Sequence, residues 1–261
     1  MNKLINMNNV SLALGFVSSY HQKMKYFFLI YLAIFYSSFG QAKDLELEVV
    51  SESWPPFIIA DKEVSGIVTD QVKEILNKSG INYHINIYPW ARSYHIAITK
   101  PNVLIYSIYK TEERKPHFHW FCPIHKATPI HIYKLSTNKI DVNSLAALKK
   151  AVVGIMRGDN SHQYLLDNGF KDGINLDVSA NEETNLLKLL NGRVDVVVQS
   201  EESFRYRLNN LGEKDIDFLA GLTIHKGKQA EHCMALSKGT DPQIIKQVSH
   251  SFEQWKKANQ S

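Results

Sequence analysis

Cysteine is scarce in this 261-residue chain, with two residues in all, Cys122 and Cys233. Two cysteines exclude a disulfide-dense miniprotein, and they leave no recognised zinc-ligand spacing. Glycine and proline are modest, at 13 and 8 residues, and no Gly/Ser linker, low-complexity stretch or strong repeat is present. With 44% hydrophobic and 21% charged residues, a disordered tail and a collagen-like array are excluded as well. Long apolar runs are missing: the run at residues 26–36 spans eleven positions, well short of the roughly 20 that a membrane-spanning helix needs. No nucleophile elbow, metalloprotease helix or phosphate loop occurs. Acidic residues are absent from residues 1–42, which carry Lys3, Lys23 and Lys25. Removing those three lysines from a net charge of +4 leaves 27 basic residues against 26 acidic ones. The body is thus nearly neutral, and its charge points to no nucleic-acid partner.

From Met24 the chain reads Met-Lys-Tyr-Phe-Phe-Leu-Ile-Tyr-Leu-Ala-Ile-Phe-Tyr and ends in Gly40-Gln41-Ala42. A basic start, a short apolar stretch and a small-x-small ending make a secretory signal peptide, expected to span residues 1–42. The competing reading, a membrane anchor, is disfavoured by the length of the run. Residues 1–23 fit a signal poorly, and the sequence points to Met24 as an alternative start. No cysteine stands at the cleavage site, so no lipid tether is expected. The expected product, residues 43–261, is a soluble monomer of 219 residues in a periplasm.

Beyond the leader, short β-rich runs alternate with helical segments. Residues 45–50 read as a strand, and Trp54-Pro55-Pro56-Phe57 as a rigid loop after it. Val72, Ile75 and Leu76 lie at helical spacing over residues 70–78, after Thr69 and before Gly80, which predicts a helix there. Residues 83–88 alternate as a strand, and Pro89 opens a helix through Ile98. The apolar run 103–108 predicts a strand buried on both faces. In the second half, strands are expected at 151–156 and 194–198. Helices are expected after Asn160, after an Asn181 cap with Glu182 and Glu183 in its first turn, and from Asp241-Pro242 to about Lys257. Strands alternating with helices predict an α/β fold with mostly parallel sheets.

The strongest local constellation is Ile105-Tyr-Ser-Ile-Tyr-Lys-Thr-Glu-Glu-Arg114. A buried strand ends, Thr111 stands where it caps a short turn, and Arg114 follows three residues on. An arginine just beyond the carboxyl end of a parallel strand points into the crevice where α/β sheets bind ligands. Its planar fork matches a carboxylate. The plainer alternative is a surface arginine paired with Glu112 or Glu113.

Trp54-Pro-Pro-Phe57, Gly66 before a helix, Pro89-Trp-Ala-Arg92, Thr111-Glu-Glu-Arg114 and Leu190-Asn-Gly-Arg-Val-Asp195 occur in that order. This order resembles the family 3 extracellular solute-binding proteins, the polar amino-acid-binding components of ABC importers, over essentially all of residues 43–261. The resemblance implies a two-lobed, type II periplasmic-binding-protein-like α/β fold with two crossover strands. Lobe 1 would comprise residues 43–127 plus 232–261, and lobe 2 residues 128–231. It further implies that Arg114 binds a ligand carboxylate, that Trp54 and Trp90 flank the ligand, and that the Ser107 carbonyl meets an amine. Tyr109 stands where a small hydroxyl residue often helps hold the carboxylate. The turn of Arg157, Gly158 and Asp159 stands where backbone amides meet an anion at a helix start. Ser200 departs from the family, which places an acid there to receive the α-amine. Either the adjacent Glu201 substitutes, or the ligand is not an ordinary α-amino acid.

Cys122 and Cys233 fall near the two implied crossovers. A disulfide restraining the hinge and two small buried hydrophobes are both open readings. His117, His119, His125 and His131 crowd one region without a carboxylate or cysteine at metal spacing. A partly solvated, pH-sensitive crossover is therefore expected in place of a metal site, and no cofactor is expected. The functional expectation is capture of a small carboxylate-bearing solute for the membrane permease of an ABC importer. The alternatives are a sensory binding protein reporting to a membrane receptor, and a periplasmic dehydratase on the same fold with Glu201 or Asp159 as general acid.

Overall fold

The computed structural model describes residues 46–213 and 215–259. The predicted signal segment, with its alternative start at Met24, lies outside the described residues. Two five-stranded sheets organise the chain. The first uses β1 (Glu46–Ser51), β2 (Asn82–Ile87), β3 (Val103–Ile108), β4 (Phe118–His125) and β10 (His232–Ser237), in the order β2-β1-β3-β10-β4. The second uses β5 (Ile130–Leu135), β6 (Val153–Met156), β7 (Leu176–Ser179), β8 (Val196–Ser200) and β9 (Phe218–His225), in the order β7-β6-β8-β5-β9. In both sheets the helix-connected strands run parallel, and one strand, β10 in the first sheet and β5 in the second, runs antiparallel both to them and to the edge strand on its other side, β4 or β9.

The chain thus passes from the first sheet to the second between His125 and Ile130, and returns between His225 and His232. The two passing segments are tied by Thr128 N–H donating to the Ala230 carbonyl at 2.9 Å. β3 is buried at every position, as its unbroken apolar run predicts for a central strand.

Helix α1 (Ile67–Ser79) begins three residues before the position that sequence signals give. Those signals look for a side-chain cap, and this helix has none. Its first amides are satisfied by backbone: Ile67 N–H donates to the Pro56 carbonyl at 3.2 Å, and Val68 and Thr69 donate to that of Phe57 at 3.0 and 3.3 Å. The rigid Trp-Pro-Pro-Phe loop therefore does the work of a cap. Such close approach requires Gly66: its φ is +115°, and a Cβ there would stand 2.6 Å from the Phe57 oxygen. The buried face of α1, Val68, Val72, Ile75 and Leu76, packs on the first sheet beside α7 (Pro242–Asn259). Trp255 Nε1 of α7 donates to Glu74 of α1 at 3.0 Å.

The remaining helices are α2 (Trp90–Thr99), α3 (Leu145–Leu148), α4 (Asn160–Asp167), α5 (Glu182–Leu190) and α6 (Glu201–Leu211). Among the described residues, no helix is long and apolar enough to cross a membrane.

Cys122 and Cys233 form a disulfide, with their Cα atoms 4.6 Å apart. They are not two separate buried hydrophobes. The bridge joins β4 to its neighbour β10 inside the first sheet, at the roots of the passing segments. It therefore fastens two strands of one sheet and does not join the two sheets.

Candidate functional site

A narrow cleft lies where the carboxyl ends of β1, β3, β6 and β8 converge. This is the crevice position expected for α/β sheets. One wall comes from the first sheet and α2 (Glu52, Trp54, Trp90, Ser107, Tyr109, Arg114). The other comes from the second sheet and its helix starts (Ile130, Met156, Asp159, Asn160, Ser161, Glu182, Val198, Gln199).

Arg114 is 6% exposed. The turn holding it is built as the sequence suggests, with Arg114 N–H donating to Thr111 Oγ1 at 3.2 Å. Its guanidinium lies over the rings of Trp90 and Tyr94, 5.1 and 5.2 Å from their centroids. Among the described residues it makes no salt bridge, and Glu112 is taken by Lys115. The surface-pair alternative therefore fails. Burial pulls the Arg114 pKa below its ordinary value, against the opposing pull of Tyr94 and Asp159. A planar cation held between two rings and lacking a carboxylate partner is suited to receive one.

Trp54 stacks on His232, with ring centroids 4.8 Å apart and planes 13° apart. Its Nε1 is buried without a hydrogen-bond partner among the described residues. Ser107 occupies a left-handed conformation (φ +60°) at the β3–β10 bulge. Its hydroxyl is committed to His232 Nδ1 at 2.6 Å, and His232 Nε2 contacts Thr128 Oγ1 at 2.8 Å. Burial pushes His232 down to about 3, so this chain contains a neutral imidazole at ordinary pH. The Tyr109 hydroxyl turns to the Thr128 carbonyl at 3.4 Å, and burial raises its pKa well above the usual phenol range.

Asp159 caps α4, accepting from His162 N–H at 2.5 Å. Burial raises it to about 7, against the lowering effects of that hydrogen bond and of Arg114. Gly158 does not line the cleft, but its carbonyl accepts from Trp90 Nε1 at 2.8 Å. That bond joins the two walls. A second clasp is made by Arg207, whose Nη2 donates to the Ser53 carbonyl at 3.0 Å while its Nε lies 3.6 Å from Glu182.

Three expected residues are placed elsewhere. Arg157 lines a separate surface depression beside Asp172 and Asp177. Ser200 is buried as the cap of α6, accepting from Ser203 N–H at 3.3 Å. Glu201 points outward in an ion pair with Arg205 at 2.7 Å, so it neither replaces the missing acid nor serves as a general acid in the cleft. The histidines are also dispersed: His125 packs on Phe57 and His232, and His131 contacts Thr223. Among the described residues, no group of three or more His, Cys, Asp or Glu is arranged to hold a metal ion.

The acids that do face the cleft are Glu52, Asp159 and Glu182. Burial pushes Glu52 well above the carboxylate range, and Glu182 and Asp159 push it further. Glu182 is raised by burial and held back by Arg207 and Ser203. Sequence reasoning missed Glu52 and Gln199 and read Glu182 only as a helix-dipole residue. The signals available were the position of Glu52 at the end of β1 and a polar Gln199 closing a run of three valines.

A test of this electrostatic arrangement is Asp159→Asn, which keeps the cap but removes the charge. A carboxyl raised in the folded state contributes stability below its unfolded pKa of about 3.9 and loses it as pH rises through about 7. In urea melts of the ligand-free protein, the variant should gain on the wild type between pH 4 and pH 8, by on the order of 4 kcal/mol. An identical difference at both pH values would contradict the assignment.

No protein-family model and no curated protein matches the sequence. Solved structures do match it. The sensor domain of a histidine kinase with similarity to periplasmic binding proteins has a TM-score of 0.72 at 16% identity, over 84% of this chain and 94% of that one. An ancestral arginine-binding protein bound to arginine has a TM-score of 0.69 at 22% identity, over 82% and 93%. An arginine 3rd transport system periplasmic binding protein from Legionella pneumophila has a TM-score of 0.63 at 18% identity, over 83% and 95%. The two sheets, their strand orders and these likenesses establish a two-lobed α/β fold of the type II periplasmic-binding-protein kind.

Proposed function

We propose that this chain is a periplasmic solute-binding protein that captures a small carboxylate-bearing solute of amino-acid type between two lobes. The lobes would be residues 43–127 plus 232–261, and residues 128–231. The observation that carries the reading is Arg114, a buried guanidinium on the cleft wall, held by two rings and without a salt bridge. A ligand carboxylate supplies the missing countercharge. Glu52 and Asp159, both raised chiefly by burial, would accept the ligand amine, taking the part that an acid at position 200 plays in the resembled family. The wall-to-wall bonds of Trp90 and Arg207 support closure around the solute as a hinge motion.

Delivery to the permease of an ABC importer accounts for the arginine-binding likenesses and the signal-like leader. A second reading, a binding protein reporting to a membrane receptor, is favoured by the likeness to a kinase sensor domain. Pull-down on the immobilised protein separates the two, with permease components in one case and a receptor in the other. The binding reading itself is tested by isothermal titration against amino acids, organic acids and amines. Carboxylate-bearing amino acids should give saturable heat, and amines without a carboxylate should give none. A panel silent throughout, with the protein folded, would overturn it.

A further inference from the structure

Gln199 is a buried polar residue of the cleft lining. The residue is 1% exposed, and neither Oε1 nor Nε2 has a hydrogen-bond partner among the described residues. On the facing wall, Trp54 Nε1 is buried and unpartnered in the same way. Both residues line the cleft. A buried polar atom stripped of water and left unpaired is costly, and such atoms are characteristically satisfied.

We infer that Gln199 and the Trp54 indole form a neutral hydrogen-bonding subsite, selecting a solute that carries a carboxamide-like group besides its carboxylate and amine. This rests on the solute-binding reading above. The class follows from donor and acceptor counting. Gln199 offers one acceptor oxygen and one donor nitrogen side by side, and Trp54 adds a donor only. A carboxylate presents acceptors alone and would strand Gln199 Oε1. An ammonium or guanidinium presents donors alone and would strand both Nε2 and the indole. An apolar side chain strands all three. A hydroxyl carries donor and acceptor on one oxygen and cannot face both side-by-side Gln199 atoms in good geometry, whereas a carboxamide or ureido group presents donor and acceptor side by side. The conclusion is the same whichever way the Gln199 amide is turned, because both of its atoms lack partners.

The test is titration of wild type and Gln199→Met with glutamine, asparagine and citrulline against methionine, norleucine and glutamate. Methionine is close in volume to glutamine, so the strand should keep its packing. In wild type at least one amide or ureido amino acid should bind about 10- to 100-fold tighter than its apolar counterpart. In Gln199→Met that preference should collapse, with affinity for methionine or norleucine held or improved and the ligand-free melting temperature unchanged or raised. Wild-type binding of carboxylate amino acids without preference for the amide overturns this inference and leaves solute binding standing. An unchanged preference in Gln199→Met overturns it equally. If no amino acid binds at all, the solute-binding reading fails and the subsite fails with it.

Discussion

Arg114→Leu is expected to weaken capture of the carboxylate-bearing solute by about 10²- to 10³-fold, the effect of leaving one member of a desolvated charge pair without its partner. The size follows from the surroundings. Arg114 is 6% exposed and enclosed by Trp90 and Tyr94, so water compensates little for a carboxylate stranded there. Arg114→Lys keeps the charge but replaces a planar fork with a point charge, and a loss of about tenfold is expected. Ligand-free stability should move far less, within about 1 kcal/mol. Removing a buried unpaired cation stabilises the fold, whereas losing two cation–π contacts of about 1 kcal/mol each opposes that gain. Titration and melting of the same samples separate the roles. A leucine variant that binds like wild type would remove Arg114 from the site, and one that fails to fold would make it structural.

The second large effect concerns Cys122 and Cys233, which are 111 residues apart in the chain. The loop they close contains all of β5 through β9, the entire second sheet. A loop near this length removes about 4–5 kcal/mol of denatured-state entropy in the chain-entropy account, and measured values centre on about 2–4 kcal/mol. Replacing both cysteines with alanine should therefore cost about 3–4 kcal/mol. For a domain of this size that is a fall of roughly 8–15 °C in melting temperature. Adding a thiol reductant to the wild type should reproduce it. Because the bridge lies inside the first sheet, ligand affinity measured well below the melting transition should stay within about threefold. A reduced protein that melts with the oxidised one would contradict the entropic account. A large change in affinity would instead show that the bridge restrains the hinge after all.

Several features were legible because their causes are local. Asn181 caps α5 by accepting from Thr184 N–H at 2.9 Å, and Gly80 closes α1 in the left-handed conformation. Thr111 bonds the Arg114 amide, and β3 is buried throughout, as its composition requires. The strands beside the passage between sheets were harder to read. β4 and β9 mix histidine, proline, glycine and threonine with apolar residues, and their stability comes from antiparallel neighbours distant in the chain, β10 for β4 and β5 for β9. The start of α1 was misplaced because backbone carbonyls from a loop perform the capping.

The acids of the cleft show where sequence reasoning ends. Glu182-Glu183 and Glu201-Glu202 each open a helix after a capping residue, and both pairs are equally favourable to the helix dipole. Sequence alone determined that Glu182 and Glu183 sit in a first turn, that an arginine follows a buried strand, and that the element order is α/β; the helix opening at Glu201 and Glu202 came from the structure. Tertiary structure decided which acid matters. Glu182 is 8% exposed, lines the cleft and meets Arg207, whereas Glu201 points outward to Arg205. Burial between two sheets depends on contacts distant in the chain, and the same burial raises the carboxyls of Glu52, Asp159 and Glu182. Desolvation belongs to a three-dimensional position, and no local pattern of residues encodes it.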